Sequence, residues 1–193
     1  FLAYETGDLN TAIGLSRESL EVYRRSLSPE HPSVARGMSN LAMWMIEDRE
    51  FAAAEPLLQE TIELRTNVLG ADHPDVAASL SLLASLFIET GRFAEAHSLA
   101  VDAHKTCINA LGAEHWRTAA AASAEGAALS GLGRNEVAEP MLVQAVAILA
   151  ADSGALPFFV RNATRWLADH YAKTGQAAAA AKYRQMLHNQ GSN

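Results

Sequence analysis

Cysteine is nearly absent from the chain: the single Cys107 excludes an internal disulfide, and no Cys/His cluster has the spacing of a zinc site. Runs of lysine or arginine that could neutralise a row of phosphates are also missing. With 15 basic against 22 acidic residues the net charge is −7, and no nucleic-acid partner is expected. No apolar run approaches the roughly 18 residues that would span a bilayer, and no signal peptide opens the chain, so no membrane partner is expected either. The lone thiol fits a reducing compartment, which makes the cytoplasm the expected location. Walker, GxGxxG, HExxH and nucleophile-elbow patterns do not occur, so neither enzyme activity nor a cofactor is expected.

What remains is 193 residues, 49% of them hydrophobic, and they repeat. "LSPEHPSVA" at 27–35, "LGADHPDVA" at 69–77 and "LGAEHWRTA" at 111–119 place His31, His73 and His115 each 42 residues apart (73 − 31 and 115 − 73). Ala12, Ala54, Ala96, Ala138 and Ala180 hold one column of that period. Gly7, Gly91, Gly133 and Gly175 hold another, with Arg49 in the remaining slot. Periods of about 20–50 residues indicate stacked units that each bury an apolar face on the next.

Within a unit, Ala77, Leu80, Leu83, Ala84 and Phe87 follow helical spacing, and Ala96, Leu99, Ala103 and Cys107 do so again after Gly91. Each unit therefore reads as two helices, with the alanine column marking where they touch too closely for a larger side chain. The helices are expected at 8–27, 32–48, 51–69, 74–90, 93–111, 116–132, 135–151, 157–174 and 176–189, with a fragment at 1–6. At the hinge between units, Gly70 is expected to take a left-handed cap and Pro74 to open the next helix, where its missing N–H costs nothing. Pro56 and Pro140 fall near the start of the second helix of their units, where proline is tolerated best. The three hinge histidines read as helix caps, because ligands of one metal lie about 3 Å from each other whereas residues one unit apart are separated by at least a helix spacing of about 8–10 Å. His97 and His104 read as surface residues, Asp169 and His170 point different ways on their helix, and Cys107 reads as a core thiol.

The columns Leu83-Ala84, Phe87, Gly91, Phe93, Ala96 and Leu99/Ala100 resemble the tetratricopeptide repeat, and the 42-residue unit resembles its kinesin-light-chain-type variant, widespread in bacterial proteins. The resemblance implies an all-α fold: a right-handed superhelical α-solenoid of antiparallel helical hairpins. It divides the chain as one solenoid domain over 1–193, with a partial repeat at 1–30, full repeats at 31–72, 73–114 and 115–156, and a C-terminal repeat and tail at 157–193. The later units depart from the pattern: Trp116 replaces the hinge proline, Glu125 an apolar residue and Asn135 an aromatic.

In this family the first helix of each repeat lines a concave groove. Carrying the inward positions over places Arg36, Asn40, Met43 and Glu47, then Ser81, Ser85 and Glu89, then Arg165, Trp166, Asp169 and Lys173 on that surface, with a nearly smooth fourth unit between. Glu5, Glu47 and Glu89 share one column, followed by Gly131 and Lys173, so the groove is expected to run from acidic to basic. Carboxylates near a helix C-terminus oppose the macrodipole, and their repetition suggests docking of a partner's basic side chain; the alternative is a solvated row. Trp166 with Arg165 reads either as an interface anchor or as a tryptophan packed to close the array. The implied function is non-catalytic binding of a peptide or partner domain in the groove. Two alternatives stand beside it: an arm regulating or targeting a larger bacterial protein such as a Ser/Thr kinase, favoured by the absent initiator Met, and self-assembly through the apolar edge Phe1–Leu9.

Overall fold

A computed structural model describes residues 9–190 of the chain. Among them nine helices run in order: α1 (Leu9–Ser26), α2 (Pro32–Glu47), α3 (Phe51–Leu69), α4 (Pro74–Glu89), α5 (Phe93–Leu111), α6 (Trp116–Gly131), α7 (Asn135–Ala151), α8 (Pro157–Lys173) and α9 (Ala177–Gln190). From the end of α1 to the start of α9, every helix end lies within one residue of the sequence expectation. The expected fragment at 1–6, with Glu5 and Gly7, lies outside the described residues.

The helices end where the backbone must turn back. Gly91, Gly133 and Gly175 adopt φ near +80°, the left-handed conformation that costs glycine least. Arg49 holds the same position at φ 62°. There Glu50 N–H donates to Met45 O at 2.8 Å, the bond that Arg92 N–H makes to Phe87 O in the next unit. At the hinges, Nδ1 of His31, His73 and His115 accepts a backbone N–H two residues on, at 3.0–3.1 Å, satisfying one of the orphan donors of α2, α4 and α6.

Two local expectations need correction. Gly70 has φ 85° and ψ 154°, an extended conformation open to glycine alone rather than the left-handed helical cap; Gly112 does the same at φ 88°, ψ 166°. Pro56 and Pro140 are each the sixth residue of α3 and α7, past the first turn, so each removes one intrahelical bond.

The alanine column lies at the centre of each hairpin: Ala54, Ala96 and Ala138 are fully buried, Ala12 and Ala180 nearly so. Helices α2, α4, α6 and α8 form the inner, concave row, and α1, α3, α5, α7 and α9 the outer one. The tightest place is α6, most of whose residues are Ala, Ser or Gly and most of which are buried. Because these side chains are small, α4 and α8 both close directly on α6. The smooth fourth unit is thus packed interior, not exposed groove, and it curls the row until α8 faces α2 across the concavity.

Candidate functional site

The concave face divides into an open half and a closed half. The closed half lies where α8 crosses the C-terminal ends of α2 and α4. Arg161 Nη2 is 2.5 Å from Glu47 Oε1, and Arg165 Nη2 is 2.5 Å from Glu89 Oε1. Trp166 Nε1 donates to the same Glu89 oxygen at 3.2 Å, and Arg165 also donates to Asn162 Oδ1 at 2.8 Å. The acidic column therefore receives basic side chains from its own chain, where the sequence suggested a partner's. Burial lifts the Glu47 carboxyl to about 7; Arg165 pulls it down and Glu89 pushes it up, and burial wins. Burial, reinforced by Arg165, lowers the Arg161 guanidinium.

Several expected groove residues are withdrawn from the surface. Ser81 and Ser85 are buried, their hydroxyls donating to Ala77 O and Ser81 O one turn back. Trp166 is only 5% exposed, so a partner cannot reach its faces without displacing α8. Lys173 is solvent-exposed along its stem while its Nζ donates to Ser130 O near the end of α6. Gly131 interrupts the acidic column for a steric reason: a Cβ there would lie 2.2 Å from the Phe93 ring.

The open half lies toward the N-terminal ends of the inner helices and holds a cavity of about 430 Å³. Arg36 and Asn40 are exposed on its rim and Met43 is half-buried. Its walls join Leu82, an inward position of its repeat, to residues that the inward columns did not nominate: Leu156 and Phe159 add apolar surface, and Arg65 and Arg117 flank Asp75. Arg117 Nη1 donates to Asp75 Oδ1 at 2.9 Å, and Arg65 Nη1 donates to Asp75 O at 2.8 Å and Ser79 Oγ at 2.7 Å. Burial lowers the Arg65 guanidinium, partly offset by Asp75. Asp169 is exposed beside a second cavity of about 250 Å³, bordered by Arg165 and Lys173.

Sequence reasoning missed Arg161 and Arg65. Arg161 carried a signal, since it stands four residues before Arg165 on one helical stripe. Arg65 comes from an outer helix, which the inner columns do not sample. His104 also departs from expectation: its Nδ1 lies 2.7 Å from Glu125 Oε2, both side chains largely buried, which explains why an acidic residue occupies that apolar position of α6. His170 is buried with Nδ1 2.9 Å from Ser130 Oγ, while Asp169 points to solvent. Cys107 is a buried thiol whose pKa burial raises, consistent with packing. Among the described residues no group of three or more His, Cys, Asp or Glu is placed to hold a metal, and no helix is long and apolar enough to cross a membrane.

A tetratricopeptide-repeat family model matches residues 1–67 and 39–107, together more than half of the chain. No curated protein matches the sequence. Among solved structures the chain is similar to a Podosopora anserina kinesin light chain-like protein of nearly identical TPR-like repeats, at 23% identity and TM-score 0.68, over 97% of this chain and 89% of that one. BtubC from P. vanneervenii is similar at 20% identity and TM-score 0.67, over 98% and 75%. MamA of RS-1 is more distant, at 11% identity and TM-score 0.53, over 97% and 88%. The period, the hairpins, the capped hinges and the family match agree: the chain belongs to the tetratricopeptide-repeat family, whose repeats generally serve as non-catalytic protein-interaction scaffolds.

Proposed function

We propose that this protein is a non-catalytic scaffold that holds an extended segment of a partner protein in the open half of its concave face. The observation that carries this reading is the cavity of about 430 Å³, which joins an apolar wall of Leu82, Leu156 and Phe159 to exposed polar groups on Arg36 and Asn40. Such a site suits a segment that buries an apolar side chain while its backbone or a carboxylate meets Arg36 and Asn40. Met43 is the adaptable contact between them. Asp169 and Lys173, at the second cavity, are a subsidiary contact for a longer segment. Glu47, Glu89, Arg165 and Trp166 support the face by closing it, and Ser81 and Ser85 lie beneath it.

The test is affinity capture from lysate of the native source, with the parent protein and an Arg36→Glu/Asn40→Ala variant as paired baits, read by mass spectrometry. A protein retained by the parent and lost by the variant, whose segment then binds the purified parent in calorimetry, supports the reading. Equal capture by both baits removes the open half as the binding face.

A second reading, self-association, is favoured by α1, where Leu15 and Val22 are more than half exposed two turns apart. Light scattering on the parent and on Leu15→Lys/Val22→Lys distinguishes it: a dimer that dissociates in the variant supports association through α1, and a monomeric parent excludes it.

A further inference from the structure

The contact between α8 and the opposite wall differs in kind from every other contact of α8. Toward α6, α7 and α9 the helix is held by close packing of Phe158, Ala163, Leu167 and Tyr171, all buried. Toward α2 and α4 its backbone makes no extensive approach, and the polar contacts of the seam include the pairs Arg161–Glu47 and Arg165–Glu89 and the Trp166 indole bond. Cavities lie on both sides of this seam. One of about 180 Å³ sits between Trp44 of α2 and Phe158 of α8, and the other, of about 250 Å³, runs beside Glu89, Arg165 and Lys173. Polar bonds flanked by voids make this seam the least closely packed contact of α8, with Trp166 the one buried ring that must be withdrawn when it parts.

The chemistry of the seam defines what it accepts. Two carboxylates from successive units face two guanidiniums four residues apart on one helix, and the neighbouring indole N–H shares one carboxylate. We propose that Glu47 and Glu89 form a docking surface for a helix bearing two arginines one turn apart and an adjacent tryptophan, and that α8 fills this surface in cis as a releasable strap closing the concave face. Parting the strap joins the closed half of the face to the open half, exposing Glu47, Glu89 and the Trp166 ring together. Phe159 of α8 also lines the open cavity, so parting the strap reshapes that cavity, whichever segment it takes.

Energy transfer within the full chain tests this, with dyes on Gln59→Cys in α3 and Gln185→Cys in α9, both exposed sites, while buried Cys107 stays unlabelled. Four backgrounds are compared: the parent, Glu47→Gln/Glu89→Gln, Arg161→Gln/Arg165→Gln, and the exchange Glu47→Arg/Arg161→Glu. Labelled protein is diluted in unlabelled protein so that only transfer within one chain is read. The expected result is a loss of transfer efficiency in both neutralised variants with helicity retained, and recovery toward the parent value in the exchange variant. Unchanged efficiency in both neutralised variants overturns the strap. Should the neutralised variants lose helicity, the exchange variant decides: parental transfer upholds the strap, and transfer as low as in the neutralised variants overturns it. Transfer that disappears on dilution of the parent shows the contact to be made between copies and overturns closure in cis.

Discussion

Arg165 and Trp166, adjacent on α8, both donate to one oxygen of Glu89, 2.5 and 3.2 Å away, across 76 and 77 residues of sequence. Adjacent residues on a helix point about 100° apart, so both reach a single acceptor only because Glu89 enters between them from the end of α4. The indole is packed and bonded at once, and its two contributions separate by substitution. Trp166→Ala should cost about 3–5 kcal/mol as a large core truncation. Trp166→Phe keeps most of the packing, loses the bond to a charged acceptor and should cost about 1–3 kcal/mol. Urea unfolding followed by circular dichroism measures both; an unshifted midpoint for Trp166→Ala would place the ring outside the core.

Glu47 makes stability depend on pH. Its carboxyl titrates near 4.5 in the unfolded chain and about 7 in the folded one. Between those values the folded state keeps a proton that the unfolded state has released, so this group's contribution is full below 4.5, falls as pH rises and is gone above about 7. The span corresponds to at most about 3 kcal/mol. Arg165 of α8 opposes the upward shift and Glu89 of α4 reinforces it, while Arg161 of α8 donates to the same carboxyl. Glu47→Gln removes the titration and leaves an acceptor for Arg161. The parent-minus-variant stability, measured at pH 5, 6, 7 and 8, should decline toward alkaline pH and then level off. A constant difference across that range would show that burial does not hold a proton on Glu47.

Arg49 carries a strained backbone. Its φ of 62° is the conformation that glycine holds at the equivalent turns, and a side chain there costs about 1 kcal/mol. Its guanidinium lies 5.3 Å from the Phe51 ring, an exposed contact too weak to offset the strain. Arg49→Gly should raise the unfolding free energy by about 0.5–1 kcal/mol after the extra entropy of unfolded glycine is subtracted. Thermal unfolding by calorimetry is the check, and a lower midpoint would show that the Phe51 contact dominates.

Gly131 and Gly126 predict graded damage. A Cβ at Gly131 would overlap the Phe93 ring, and one at Gly126 would sit 2.9 Å from Leu142 Cγ. Each Gly→Ala change gains helix propensity of about 1 kcal/mol. At Gly131 the aromatic ring must move, and overpacking of about 1–3 kcal/mol exceeds that gain. At Gly126 the contact is with Leu142 Cγ at 2.9 Å, so the Leu142 side chain must shift, but by less than the Phe93 ring, and the net loss is smaller. Equilibrium unfolding of the two variants should rank Gly131→Ala below Gly126→Ala, and the reverse order would contradict the packing described around α6.

The repeat made most of the fold legible before any coordinate was known. Helix ends were readable because capping histidines, hinge prolines and turn glycines are local signals that recur in register. The alanine column was readable because a hairpin contact fixes residue size at the same place in each unit. The half-closed groove was not. Column arithmetic assigns Glu47, Ser81 and Trp166 to one face, but how far that face curls depends on the summed packing of α4, α6 and α8 around alanines and serines. The charge pairs show the same limit. Glu47 and Glu89 stood out by position, whereas their partners lie 114 and 76 residues away and are set by curvature alone. Arg65 and Asp75 meet across a hinge, a contact between successive units that a column within one unit does not contain.

Closure by α8 changes how such a molecule comes apart. An open stack of repeats behaves as a linear chain of nearest-neighbour interactions and frays from its ends. The Glu47–Arg161 contact bypasses the intervening units and joins an early hairpin to a late one, so the array becomes a ring. The last hairpin then has a second tether to lose before it can detach, and forming that tether closes a long loop of chain late in folding. The protein should therefore melt in one transition in which its early and late hairpins share a single fate.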